Sequence, residues 1–376
     1  MQVLKLTPGS GSVEALIDRM RPIATRIEGS FSTGVTLYGA GFIGLWASRY
    51  LASIGAKVAN FVDRDPRKAG TELDGVPVMA STAPEIHSVK AMLISARQVV
   101  RDVERNLAHV DCPKMSFDGY FVVRNADRLL RIRDTYLSDP RSVEVFDALL
   151  TSMLTGSLEP CRRVMEKDMY FGLPAFSGDF NEIFVDAGAF VGDTVERFIW
   201  ENLGTFRHIY AFEPGYKQFR SLERRVARLA EEWAFNPSTV SLVKAGLSDA
   251  EGEMDCTFVD DFPIRHGLVS RPRGGGASSD ASLTSRICTL DDYLGERPVT
   301  FIKADVEGME MPLLRGAVNT IQRNKPKMAL CVYHYPSDLY EIPEFVRKIV
   351  PEYRFSLRQH APIFGDFVLY CWIEEA

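Results

Sequence analysis

Twice in this chain an apolar strand runs into a glycine turn, a helix with one apolar face and a second apolar strand that closes on an acid. The first copy is "VTLYGAGFIGLWASRYLASIGAKVANFVDRDP"; the second is "EIFVDAGAFVGDTVERFIW" followed by "HIYAFEPGYKQF". Periodicity that switches from strand to helix and back reads as β-α-β, a unit that builds parallel sheets. The pattern predicts two α/β blocks, and a chain of 376 residues has room for both.

In the first block, residues 31–126, Gly39, Gly41 and Gly44 form G-x-G-x-x-G in its proper context, and Ile43, Ala47 and Leu51 share a helix face. Glycines there let the backbone turn tightly and approach a pyrophosphate at a helix N-terminus, and Asp63, roughly 20 residues on, can hold a ribose. This reads as a Rossmann-like site for a nucleotide or nucleotide sugar. The other reading is that the glycines serve the turn and close packing in a scaffold, or a surface that pairs subunits in a homodimer. No Ser-Tyr-Lys set follows, which argues against a working dehydrogenase. The segments "VKAMLIS" and "GYFVV" are expected as further strands.

Residues 1–30 are expected to be a helical segment and 127–176 a helical connector, with Val143, Phe146, Leu149 and Leu150 at helical spacing and Ser142 near the start. The connector ends in "DMYFGLPAF", a run that either packs in a core or lies over the ligand of the next domain.

The second block, residues 177–376, carries the chemistry. Its turn "DAGAFVGDT" is opened by Asp186 and closes with Gly192 and Asp193, and the next strand ends in Glu213, the separation expected for an acid on a ribose. Acids at that loop repel a pyrophosphate but suit a cationic sulfonium that bears an amino acid, so electrostatics favours S-adenosylmethionine over NAD. Ser248 and Asp249 fall in a turn where an adenine-edge contact is expected. The Gly- and Ser-rich stretch "DDFPIRHGLVSRPRGGGASSDASLTSR" reads as a loop that closes over substrate, with Arg265, His266, Arg271 and Arg273 facing an anion or solvent. "VTFIKADVEGMEMPLLRGA" reads as the fourth parallel strand, its carboxyl end bordered by Asp305 and Glu307. Ligands of open α/β sheets bind outside such ends, so Lys303 to Glu310 should border the reacting group. A metal held by Asp305, Glu307 and Glu310 is the rival reading; no clear ligand set is visible, so no metal is expected.

"FVDAGAFVGDT", "YAFEPGYKQF", "FIKADVEGMEMPLLRGA", "VYHYPSDLYEIPEFV" and the closing "YRFSLRQH" and "FVLYCW", in this order, resemble the FkbM family of S-adenosylmethionine-dependent methyltransferases from about Phe176 onward. The resemblance implies a class I fold, a mostly parallel seven-stranded sheet with a terminal antiparallel hairpin. It also implies O-methylation of a saccharide, a nucleotide-linked sugar or a secondary metabolite. By matching positions it puts Asp186, Gly188 and Glu213 on the cofactor, and Asp305, Glu307 and His334 near the transferred methyl. The turn departs from the family in Phe190-Val191, and "LRQH" replaces an arginine-histidine pair, so Arg358 and His360 are not carried over. A hydroxyl is a weak nucleophile at neutral pH, and His334, at the end of "MALCVYH", is the expected base, with Asp305 second. The alternatives are an assembly or nucleotide-binding module whose methyltransferase domain no longer turns over, and an NAD-dependent sugar-modifying enzyme.

A net charge of −6 gives no basic surface for nucleic acid. The six cysteines, with no CxxC pair, read as free thiols in a reducing compartment, and no apolar stretch reaches the ~20 residues of a membrane span, so a cytoplasmic location is expected.

Overall fold

The computed structural model describes residues 12–258, 266–269 and 283–374. They divide into two compact units. The first comprises the chain up to Thr135 with Asp139–Met165 and Ala361–Gly365; the second comprises Tyr136–Ser138, Glu166–His360 and the chain from Asp366.

In the first unit, six strands, β1 (Val35–Tyr38), β2 (Val58–Asp63), β3 (Glu72–Leu73), β4 (Val76–Ala80), β5 (Met92–Ile94) and β6 (Lys114–Ser116), lie in the order β3-β4-β2-β1-β5-β6. Every pair is parallel except β3 with β4. The glycine turn after β1 is explained by contact: Gly39 has φ +112°, and a Cβ on Gly44 would stand 1.9 Å from the Gly39 carbonyl oxygen. Only a bare Cα lets the helix Phe42–Ser53 approach β1 so closely.

One expected strand is a helix. "GYFVV" lies inside Phe117–Arg124, where Ser116 caps the first turn by accepting from the Gly119 N–H at 2.9 Å. Phe117 to Val123 are all buried, and a helix buried on all sides loses its 3.6-residue signature, so its sequence reads like a central strand. The helix Pro140–Thr155 starts at Asp139, which accepts from the Ser142 N–H, and stops at Gly156 with φ +62°. Proline at the first helical position and a left-handed glycine at the end account for both boundaries. Its buried face is Val145, Phe146, Leu149, Leu150 and Met153; Val143 is only partly covered. This helix and Phe117–Arg124 pack on each other and on Val13–Glu28; of the stretch expected as a connector, Asp139–Met165 falls in the first unit and Tyr136–Ser138 in the second.

In the second unit, β7 (Ile183–Ala187), β8 (His208–Phe212) and β9 (Val240–Val243) precede a small four-stranded sheet of β10 (Gly246–Leu247), β11 (Gly252–Phe258), β12 (His266–Val269) and β13 (Leu283–Cys288). Then come β14 (Phe301–Ala304), β15 (Lys327–Cys331), β16 (Arg354–Gln359) and β17 (Phe367–Trp372). The main sheet has seven strands in the order β16-β17-β15-β14-β7-β8-β9, parallel except for β17, which runs against both β15 and β16. Its core is aromatic: Phe184 stacks on Phe198 at 4.3 Å, and Phe171 and Phe176 meet Phe301 edge-on at 6.0 and 5.5 Å. Such pairs are each worth about 0.5–1.5 kcal/mol beyond area burial. The stretch expected as one loop is partly strand, since β12 and β13 both pair with β11. Arg265, Arg271 and Arg273 lie outside the described residues, as does the side chain of His266. Among the described residues no helix is long and apolar enough to cross a membrane.

Candidate active site

At the carboxyl ends of β7, β8 and β14 the second unit encloses a cavity of about 470 Å³. Its wall carries five carboxylates, Asp193, Glu213, Asp305, Glu307 and Asp366, and one ammonium, Lys303. The remaining wall includes Gly188, Phe190, Phe212, Ala245 to Leu247, Met309 and Tyr333. Met169 and Tyr170 complete it, so "DMYFGLPAF" contributes to the cavity wall as well as to the core, where Phe171 and Phe176 lie.

Strand register builds the floor. Lys303 on β14 is the direct partner of Asp186 on β7, and its ammonium stands 2.9 Å from the Asp186 carboxylate, with side chains 2% and 0% exposed. The same ammonium donates to the carbonyl oxygens of Gly188 at 2.7 Å and Ala187 at 3.2 Å, so it clamps the start of the glycine turn. Burial works against the Lys303 charge, but Asp186 and then Asp305 more than reverse this and hold its pKa above the ordinary value. Burial pushes Asp186 up to about 6 against the pull of Lys303. Gly188 has φ +80°, and a Cβ there would stand 1.9 Å from the Asp305 carbonyl oxygen, which ties the turn to the end of β14. Glu213 is buried and accepts from the N–H groups of Phe190 at 2.9 Å and Gly215 at 2.6 Å, a placement that leaves acceptor capacity toward the cavity.

At the other end, Asp305 accepts from the hydroxyls of Tyr170 at 2.8 Å and Tyr333 at 3.1 Å. Burial acts to raise the Asp305 pKa, but Lys303, His334 and the two hydroxyls outweigh it and keep it below the ordinary carboxylate value. His334 is buried behind this wall, its Nδ1 2.9 Å from Glu310 Oε1 and its Nε2 3.6 Å from Asp305 and 3.7 Å from Glu307. Burial alone lowers an imidazole pKa; here Glu310 first, then Asp305 and Glu307, push it up to about 10. Three carboxylates converging on one ring favour its charged form. Burial, then the Asp305 charge, raises the Asp366 pKa.

Of the residues singled out from the sequence, Gly188, Asp193, Glu213, Asp305 and Glu307 line the cavity, and His334 joins them through its ring. Asp186 lies beneath the floor, and Gly192, with φ +84°, caps the helix Asp193–Glu201. Ser248 and Asp249 do not line it: Ser248 Oγ meets Asp249, and Asp249 pairs with Arg315 at 2.9 Å, while Gly246 and Leu247 take the wall position. Asp305, Glu307 and His334, rather than the strand-tip set with Glu310, bring potential ligand atoms within 4.8 Å of one another. His360 lies off the cavity wall, its ring bonded to Tyr370 Oη at 2.9 Å, and Tyr370 Oη accepts from the Tyr170 N–H. In the first unit the Asp63 carboxylate accepts from the Ala40 N–H, the Asp65 N–H and the Lys68 ammonium, each at 2.8–2.9 Å, an internal role that closes the glycine turn. Tyr170, Tyr333 and the Lys303–Asp186 pair were not read from the sequence, although one lysine inside the otherwise apolar "TFIKA" demands an acid on a neighbouring strand.

Residues 186–357, all within the second unit, match the family model of the methyltransferase FkbM domain. A search of solved structures finds methyltransferase FkbM from Methylobacillus flagellatus KT, at 22% identity over 96% of this chain and 98% of that one, with a TM-score of 0.58. It also finds an rRNA methylase from Streptococcus thermophilus, at 14% identity over 58% of this chain and 94% of that one, with a TM-score of 0.33, too loose a likeness to argue from. No curated protein matches the chain. The sheet order and the first of these likenesses together give the second unit the class I methyltransferase fold.

Proposed function

We propose that the chain is an S-adenosylmethionine-dependent O-methyltransferase that acts on a hydroxyl of a saccharide, a nucleotide-linked sugar or a secondary metabolite. The observation that carries this reading is the acid-lined cavity at the ends of β7, β8 and β14, with Glu213 following β8 and Asp305 and Glu307 following β14. Five carboxylates against one ammonium favour a cationic ligand and disfavour a pyrophosphate.

Glu213 holds the ribose hydroxyls, Gly188 lets the cofactor approach the backbone, and Asp193 faces the amino-acid end. Asp305, fixed by two tyrosine hydroxyls, sits where the sulfonium methyl meets the acceptor. The acceptor oxygen attacks the methyl carbon in line as the sulfur–carbon bond breaks, and alignment supplies most of the rate. The hydroxyl proton leaves to solvent past the half-exposed Glu307, and His334 stands as a positively charged neighbour of Asp305, Glu307 and Glu310.

Incubation with S-adenosylmethionine labelled in its methyl group and a panel of mono-, oligo- and nucleotide-linked saccharides tests this. The reading expects label on an acceptor hydroxyl with wild type and at least a tenfold loss with Asp305→Asn. Label carried equally by the variant would remove Asp305 from the mechanism.

A further inference from the structure

We infer that Asp305, Glu307 and His334 hold one divalent cation and that this ion grips two neighbouring oxygens of the acceptor. The inference rests on the methyl-transfer reading for its substrate, not for its ligands.

The three groups come from two adjacent strand ends. Asp305 and Glu307 follow β14, and His334 follows β15. Their ligand atoms lie within 4.8 Å of one another, and His334 Nε2 is 3.6 Å from Asp305 Oδ1 and 3.7 Å from Glu307 Oε2. Those separations are too long for hydrogen bonds. They are near the spacing of ligands around an ion, because oxygens ~2.1 Å from a cation in neighbouring octahedral positions stand roughly 3 Å apart. A small inward movement of the exposed Glu307 closes the difference.

The surroundings match the way proteins orient metal ligands. The Nδ1 of His334 is 2.9 Å from Glu310, whose side chain is 1% exposed, so this side of the ring faces a buried carboxylate and Nε2 faces Asp305 and Glu307. A carboxylate behind an imidazole is the usual partner that fixes the tautomer of a metal-bound histidine. Asp305 is held in the same manner by Tyr170 and Tyr333. One side of the cluster is therefore rigid and buried, while the Glu307 side faces the cavity, which leaves coordination positions for water or an acceptor.

One imidazole and two carboxylates suit a borderline-hard ion such as Mn2+. The ion takes the place of the second proton on His334. With three protein ligands it has room for two oxygens on adjacent carbons, as in a vicinal diol, and it makes a bound hydroxyl more acidic. The hydroxyl proton then leaves to solvent, the oxygen–methyl bond forms, and the sulfur–methyl bond breaks to give the thioether.

The full-length chain is stripped with EDTA and dialysed, then titrated with Mn2+ while electron paramagnetic resonance reports the free ion. The inference expects one saturable ion per chain in wild type and at least tenfold weaker binding in Glu307→Gln, whose surface position leaves its melting profile unchanged. Equal binding by both proteins, or no saturable binding by wild type with and without S-adenosylhomocysteine, overturns it. Calorimetric binding of S-adenosylhomocysteine to the stripped wild type is read separately, so failure of the methyl-transfer reading shows there and failure of the ion site shows in the Mn2+ titration.

Discussion

Replacing Lys303 by methionine removes the cation from a fully buried pair and leaves the Asp186 carboxylate, 0% exposed, without its partner. Breaking such a pair from one side costs about 3–5 kcal/mol, because the remaining charge stays desolvated. Two carbonyl oxygens at the glycine turn lose a donor as well. The pH dependence carries its own signature. Asp186 already sits at about 6, above its ordinary 3.8, so its protonated form favours the folded state and stability falls as pH rises between those values. That fall amounts to about 3 kcal/mol at about 1.4 kcal/mol per pH unit. Without Lys303 the folded pKa moves above 6, and the fall continues upward by a further ~1.4 kcal/mol for each unit. Lys303→Met is therefore more destabilising at pH 8 than at pH 6, and adding Asp186→Asn removes the difference. Urea unfolding followed by tryptophan fluorescence reads this, since Trp200, Trp233 and Trp372, three of the four tryptophans, belong to the second unit. A loss under about 1 kcal/mol, or one equal at both pH values, would refute the argument that the pair is desolvated and charged.

Further outcomes are expected. Gly188→Ala puts a methyl 1.9 Å from the Asp305 carbonyl at φ +80°, so it destabilises the second unit by at least about 2 kcal/mol and abolishes S-adenosylhomocysteine binding, both measured by urea unfolding and calorimetry. Tyr170→Phe deletes one hydroxyl from Asp305 and lowers methyl transfer roughly tenfold, by about 1–2 kcal/mol, with the fold kept; an unchanged rate removes Tyr170 from the positioning of Asp305. The His334 pKa is raised, so the stability it contributes is complete below its ordinary 6.5 and is lost as pH rises through about 10. In EDTA-treated protein the melting temperature of wild type should drop more between pH 8 and pH 10 than that of His334→Gln; parallel curves would mean His334 is not held protonated.

Much of the architecture was legible because strand-turn-helix-strand patterns with glycines and terminal acids admit few folds. The strand tip "KADVEG" spans the end of a parallel strand and lines the cavity, the place where ligands of open α/β sheets bind. "GYFVV" misled because full burial erases the helical period, and Asp249, expected at an adenine edge, pairs with the distant Arg315, a contact that no local pattern announces. The role of His334 was the least legible feature. Its imidazole pKa depends on Glu310, Asp305 and Glu307 converging on one ring, and the burial of Glu310 behind that ring is a matter of packing. Tyr170 lies far from Asp305 in sequence and meets it only through the fold, so no local pattern announces the contact.

The central claim is that the second unit's cavity binds S-adenosylmethionine through Glu213. Titrating S-adenosylhomocysteine and, separately, NAD into wild type and Glu213→Gln by calorimetry tests it most directly. The account predicts one molecule of S-adenosylhomocysteine per chain, weakened roughly 10- to 100-fold in the variant by the loss of a charged hydrogen-bond acceptor worth about 1.5–3 kcal/mol. Binding of NAD alone, or S-adenosylhomocysteine affinity untouched by the substitution, would contradict it.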